Sequence, residues 1–181
     1  MKRTALFLDR DGVINIDHGY VHQIQQCEFI PGIFDLVRCA HDRGHFVVVV
    51  TNQAGIGRGY YDENAFNLLM QWMRQEFCNH GGKLDAVYFS PFHPEHGIGP
   101  YRRSSDCRKP APGMILKASK EHDINLKKSI LIGDRLTDLQ AGLAAGIGQL
   151  VHYNPELEAV NQNKTDLGLT ITDLRQAIPL L

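Results

Sequence analysis

Short apolar runs alternate with longer amphipathic stretches along most of this chain, and each run gives way to polar residues. The first run, Ala5-Leu6-Phe7-Leu8, predicts a buried strand that delivers Asp9-Arg10-Asp11-Gly12-Val13 at its end. Pro31-Gly32 opens an amphipathic helix to about Arg43, stopped by Gly44. Phe46 to Val50 is dominated by valine and reads as a strand buried on both faces, ending at Thr51. Asp62 suits the N-cap of a long helix with Phe66, Leu69, Met70, Met73 and Phe77 on one face, closed by Gly81-Gly82. Ala86 to Phe89 is a third strand, followed by a loop from Ser90 to Lys109 rich in Pro, Gly and His. Pro112-Gly113 begins a helix to about His122, Ser129 to Ile132 is a fourth strand, and Leu136 to Ala145 is a short helix. Gln149 to Val151 is a fifth strand, and a short helix is expected from Thr172.

Strands separated by helices imply parallel βαβ units with helices on both faces of the sheet. The expectation is a three-layer, doubly wound, Rossmann-like α/β fold with a mainly parallel sheet, one domain over residues 1–181. In such sheets ligands bind beyond the carboxyl ends of the strands. The polar signatures fall there: Asp9 and Asp11, Thr51-Asn52, Arg108-Lys109-Pro110, and Gly133-Asp134-Arg135 with Asp138. Two carboxylates two residues apart are costly unless a cation or substrate chemistry uses them.

Composition narrows the classes. A chain of 181 residues suffices for one well-cored domain. A net charge of −1 argues against a broad phosphate-backbone footprint, so no nucleic-acid partner is expected. The cysteines (Cys27, Cys39, Cys78, Cys107) show no paired spacing and read as reduced cytosolic thiols. Met1-Lys2-Arg3 mimics a signal-peptide start, but the apolar run stops at Asp9, and no segment approaches a membrane span. A cytoplasmic monomer is expected.

Taken in order, Asp9-x-Asp11-Gly12-Val13, Thr51-Asn52, Lys109-Pro110 and Gly133-Asp134-x-x-x-Asp138 resemble the four motifs of the haloacid-dehalogenase-like (HAD-like) phosphatases. A closer resemblance lies in Asp9-Arg10-Asp11-Gly12-Val13-Ile14-Asn15 with Gly19-Tyr20-Val21, in Thr51-Asn52-Gln53-Ala54-Gly55-Ile56 with Arg58-Gly59-Tyr60, and in Cys107-Arg108-Lys109-Pro110-x-Pro112-Gly113-Met114. These are similar to the heptose-bisphosphate phosphatase family, neighbours of the histidinol-phosphate phosphatases. The resemblance implies a Mg²⁺-dependent phosphoric monoester hydrolase acting on a phosphorylated sugar in the route to nucleotide-activated heptose. Asp9 becomes the nucleophile, Asp11 the general acid and base, and Thr51 and Lys109 the groups that stabilise the phosphoryl oxygens. Asp9, Asp134 and the backbone carbonyl of Asp11 become the Mg²⁺ ligands, with Asp138 supporting them.

The spacing between motifs leaves room for ordinary crossovers only, so no cap domain is expected and selectivity falls to loops. The candidates are Asp17, His18, Gly19 and Tyr20; Asn52, Gln53 and Ala54; the 90–107 loop; and Arg108 and Arg135. A second phosphate on the substrate would need such arginines; Arg102 and Arg103 are further candidates or part of a solvated face. Gly55-x-Gly57-x-Gly59 has the wrong spacing for a dinucleotide site and is expected to be a mobile loop over the substrate. The family's loop pattern, Cys-x-His then Cys-x-Cys for a structural zinc, is met here by Ser90, Phe92, Ser105 and Cys107. Structural zinc is therefore expected to be absent, with His93, His96 and Cys107 as an alternative set. Histidinol phosphate is the rival substrate. A phospho-accepting receiver-like signalling domain is the rival of another class, disfavoured because its acceptor would follow the third strand.

Overall fold

The computed structural model describes residues 2–157 and 167–181. Six parallel strands form one sheet in the order β3-β2-β1-β4-β5-β6. They are β1 (Ala5–Leu8), β2 (Phe46–Asn52), β3 (Ala86–Ser90), β4 (Ile130–Gly133), β5 (Gln149–Tyr153) and β6 (Leu169–Ile171). The helices are α1 (Ile33–Asp42), α2 (Ala54–Gly57), α3 (Glu63–Asn79), α4 (Gly113–His122) and α5 (Leu136–Ala145). Strand order reverses direction at β1, which has β2 on one side and β4 on the other. A crevice opens at that point beyond the strand ends.

Alternation along the strands sorts the core into two layers. Leu6, Leu8, Val47 and Val49 join the apolar faces of α1 and α3, including Leu36, Val37, Phe66, Met73 and Phe77. Ala5, Phe7, Val48 and Val50 face the other way and pack with Met114, Ile115 and Ala118 of α4 and Leu139 and Ala141 of α5. All four residues of β1 are completely buried. Each large side chain there contributes about 1.5–3 kcal/mol relative to exposure. Asp62 caps α3 as its position predicts, its side chain accepting from the Ala65 N–H.

Three elements differ from the pattern-based expectations. The glycine-rich stretch after β2 is a one-turn helix, α2, rather than a loose loop; a Cβ on Gly57 would meet the Pro91 carbonyl at 2.3 Å, so the turn is pressed against the 90–107 loop. A sixth strand, Leu169–Ile171, extends the sheet beyond β5; three residues are too few to show a period. The C-terminal helix is a 3₁₀ segment, Leu174–Leu180, capped by Asp173 and containing Pro179, which has no N–H for an α-helical ladder.

Candidate active site

Asp9 leaves the end of β1 with its N–H bound to the Ile132 carbonyl of the neighbouring strand, 3.1 Å. Its Oδ1 accepts from the Arg10 backbone N–H at 2.7 Å and from Lys109 Nζ at 2.9 Å. Lys109 Nζ also reaches Asp138 Oδ1 at 2.7 Å and the Val50 carbonyl at 2.9 Å, which uses all three ammonium protons. Burial works against the charge on Lys109, but Asp9 and Asp138 outweigh it and hold its pKa above the ordinary value. Asn52 braces this lysine, its amide donating to the Lys109 carbonyl (3.1 Å) and accepting from the Lys109 N–H (3.0 Å).

Asp134 and Asp138 come from the turn into α5. Asp138 Oδ2 accepts from the Arg135 N–H at 3.0 Å as part of a capping box, so both its oxygens are partnered. Asp134 Oδ1 is buried with no hydrogen-bond partner among the described residues. Gly12 (φ +90°) makes room for this carboxylate: a Cβ there would lie 2.3 Å from Asp134 Oδ2. Carboxylate oxygens of Asp9, Asp134 and Asp138 all lie within 4.8 Å of one another. Burial, with the neighbouring carboxylates adding and Lys109 subtracting, pushes Asp9 up to about 7. Burial and Asp138 push Asp134 up to about 6. Two buried carboxylates and a half-buried one against one ammonium, with one oxygen unpartnered among the described residues, fit a hard divalent cation held by oxygen, and Mg²⁺ suits that donor set.

Asp11 sits one turn further on, ringed by donors. Arg10, itself fully buried, gives Oδ1 its Nε (3.1 Å) and Nη2 (2.8 Å), and Nη2 also reaches Oδ2 (2.8 Å). Asn15 Nδ2 donates to Oδ1 at 3.1 Å and Gln53 Nε2 to Oδ2 at 3.0 Å. Gln53 Nε2 also donates to Thr51 Oγ1 (2.8 Å), while its Oε1 accepts from the Tyr61 hydroxyl (2.6 Å).

These groups open onto one cavity of about 800 Å³. It is lined by Asp9, Asp11, Asp17, Gly19, Tyr20, Thr51, Asn52, Gln53, Ala54, Arg108, Lys109, Asp134, Arg135 and Asp138 among the residues singled out from sequence. His18 stands apart: it turns outward to Glu28 (3.4 Å) and does not line the cavity. Arg135 lines it but is engaged by Asp17 at 2.8 Å and lies 3.7 Å from Asp134. Arg58, Tyr61, His93 and His152 also line it; the sequence offers His93 only as a candidate metal ligand. Arg58 was visible only as part of the glycine-rich stretch; Tyr61 and His152 carried no local signal.

In the 90–107 loop, Phe92 lies beneath the Arg103 guanidinium (4.2 Å) and beside Tyr101 (ring centroids 6.1 Å). Ser90 is buried and Ser105 Oγ accepts from the Cys107 N–H at 3.2 Å. His93 Nδ1 accepts from the Glu95 and His96 backbone N–H groups. Among the described residues, the one His/Cys/Asp/Glu group converging on a point is Asp9, Asp134 and Asp138.

A doubly wound parallel sheet with a carboxylate, a lysine, a threonine and a metal-fitting acidic cluster at its switch point defines a hydrolase of the HAD-like class. The family model described as HAD-hyrolase-like matches residues 106–152. D-glycero-alpha-D-manno-heptose-1,7-bisphosphate 7-phosphatase of Burkholderia mallei is 55% identical over 148 residues, 82% of this chain and 78% of that protein. The Vibrio cholerae protein named for the beta anomer is 47% identical over 148 residues, 82% of this chain and 80% of its own length. The crystal structure of D,D-heptose 1,7-bisphosphate phosphatase from B. bronchiseptica, complexed with magnesium and phosphate, aligns with TM-score 0.82 and 28% identity, covering 98% of this chain and 97% of that one. The chain belongs to the family of heptose-1,7-bisphosphate 7-phosphatases, within the HAD-like phosphatases.

Proposed function

We propose that this chain removes the 7-phosphate from D-glycero-D-manno-heptose 1,7-bisphosphate through an aspartyl-phosphate on Asp9, supplying a precursor of nucleotide-activated heptose. One observation carries the preference for a bisphosphate. Two arginines, Arg58 and Arg108, line the same cavity as the Asp9 cluster, and among the described residues neither has a carboxylate within ion-pair distance. Burial, reinforced by Arg58, pushes the pKa of Arg108 below its ordinary value. Two unpaired guanidiniums that repel each other call for an anion between or beside them, and a second phosphate is that anion. The names of the relatives point to the same substrate class.

Bound by Asp9, Asp134 and the Asp11 backbone, Mg²⁺ supplies the positive charge a phosphate needs beside a carboxylate; unit anions at ~4 Å otherwise repel by ~4 kcal/mol at an effective dielectric of 20. An Asp9 oxygen attacks phosphorus as the bond to the sugar oxygen breaks. Protonated Asp11 gives its proton to that oxygen. Asp11, now a carboxylate, takes a proton from water as the water oxygen attacks phosphorus, and Asp9 leaves with the bonding pair. Lys109 holds Asp9 in place. Thr51, whose Oγ1 already accepts from Gln53, has its own proton free for a phosphoryl oxygen. Asp138 anchors Lys109 and the start of α5.

A substrate panel tests the reading. Both heptose bisphosphate anomers, fructose 1,6-bisphosphate and histidinol phosphate are compared for kcat/KM, with Arg58→Ala and Arg108→Ala alongside. The expected result is a preference for a heptose bisphosphate, with each arginine variant losing about tenfold or more on bisphosphates, the scale of a lost charged hydrogen bond, and much less on p-nitrophenyl phosphate. Equal turnover of histidinol phosphate, or equal losses on mono- and bisphosphates, would contradict it.

A further inference from the structure

The hydrogen bonds around Gln53 have a direction set by Tyr61, a residue the proposed reaction does not use. Gln53 is 2% exposed, and its amide is fully engaged: one amide proton goes to Asp11 Oδ2, the other to Thr51 Oγ1, and Oε1 receives the Tyr61 hydroxyl. Tyr61 is fixed from outside, its ring stacked on His22 with centroids 4.7 Å apart and planes 3° apart. A Cβ on Gly55 would meet the Tyr61 ring at 2.3 Å and Tyr20 at 2.9 Å, so these aromatic rings close over the first turn after β2. The phenol is half-buried and lines the cavity. The chain of contacts thus runs from the substrate-facing surface through one amide to the groups expected to donate protons at the reacting centre.

We propose that Tyr61 is a positioning residue: by donating to Gln53 it fixes the side-chain orientation of Asp11 and leaves the Thr51 hydroxyl free to donate to phosphate. The inference rests on Asp11 as the general acid. Its physical basis is that Tyr61 is the one hydrogen-bond partner of Gln53 Oε1 among the described residues. Without the phenol, a buried carbonyl oxygen is left unsatisfied and the amide is free to rotate, releasing its two donations together. Asp11 keeps Arg10 and Asn15. What is lost is its orientation on the side of Oδ2, along with the direction of Thr51. The two contacts differ in kind: Arg10 grips Asp11 through a charged guanidinium, whereas Gln53 makes a single neutral contact to Oδ2.

The test is Tyr61→Phe, which keeps the ring stacked on His22. Circular dichroism and thermal melting confirm the fold, and kinetics are run on the sugar bisphosphate and on p-nitrophenyl phosphate, whose leaving group departs without a proton. The expected result is a fall of about tenfold in kcat and kcat/KM on the sugar substrate, KM shifting by no more than about twofold, with a distinctly smaller fall in kcat/KM on the aryl ester. Added to Gln53→Ala, the same substitution should cost nothing further, because Tyr61 acts only through that amide. No loss, an equal loss on both esters, or an additive loss would overturn the proposal. Asp11→Asn run in parallel separates the two ideas. If it shows leaving-group selectivity and Tyr61→Phe does not, the positioning role fails alone. If it shows none, the acid assignment fails and the proposal with it.

Discussion

Gly12 shows how tightly single residues govern this site. Its φ of +90° and its 2.3 Å clearance from Asp134 leave no room for a side chain, so the residue that ends the Asp9-Arg10-Asp11 turn also sets where a metal-fitting carboxylate can sit. Gly12→Ala is expected to displace Asp134, raising the Mg²⁺ concentration needed for half-maximal activity by an order of magnitude or more while the protein still folds, as titration of activity against Mg²⁺ will show. An unchanged Mg²⁺ requirement would mean that Asp134 is not a ligand. Of the individual residues, those in the four motifs were legible because together they repeat one arrangement: paired carboxylates after β1, a threonine at the end of β2, a lysine before a proline ahead of α4, an acid opening α5. Asn52 was legible as a site residue but not as a brace, since only the fold reveals that its amide faces the Lys109 backbone. His18 looked equivalent to its neighbours Asp17 and Tyr20, and only the course of the loop turns it toward Glu28. Tyr61 and Arg58 were illegible as partners for a different reason. Tyr61 reaches Gln53 only because the chain turns back through α2, and Arg58 stands out only by having no carboxylate partner among the described residues; neither property leaves a mark in a linear pattern.

At the scale of elements, the first five strands and the long helices followed from hydrophobic period and caps, because most of them bury a continuous face; β3, at the sheet edge, is half-buried along its middle. Where burial is partial, the pattern gives less. The three-residue β6 and the one-turn α2 owe their form to neighbours, β5 and the Pro91 carbonyl, rather than to their own sequence. The 90–107 loop is the element in which the residues depart most from the resemblance noted in the sequence. Its shape rests on short-range contacts: His93 N–H to the Tyr101 carbonyl (3.1 Å), Arg108 Nη1 to the Phe92 carbonyl (3.1 Å), and Ile98 N–H to the Gly57 carbonyl (2.7 Å). A closed zinc site needs four N or S donors, and the register of the loop supplies Cys107 alone. Protein purified without chelator is accordingly expected to contain no stoichiometric zinc by elemental analysis, and Mg²⁺ alone should restore activity after chelation. Stoichiometric zinc, or activity that Mg²⁺ fails to restore, would redirect attention to His93, His96 and Cys107.

For the molecule as a whole, the topology does the assembling. Motifs separated by more than a hundred residues meet because β1 lies between β2 and β4, so the ends of the three strands carry Asp9, Thr51 and Asp134 into one crevice. The sheet holds these groups at fixed separations, and the connections around them contain no inserted domain among the described residues, leaving loops and α2 to shape the cavity. No helix among the described residues is long and apolar enough to cross a membrane. In the proposed reaction, the carboxylate at the end of β1 carries the phosphoryl group in transit. Borohydride reduction of the protein during turnover with the sugar bisphosphate and Mg²⁺, followed by peptide mass spectrometry, tests it directly. The expected result is homoserine at position 9, formed only when substrate and Mg²⁺ are both present and absent in Asp9→Asn. Reduction at a different carboxylate, or steady turnover in a folded Asp9→Asn protein, would contradict it.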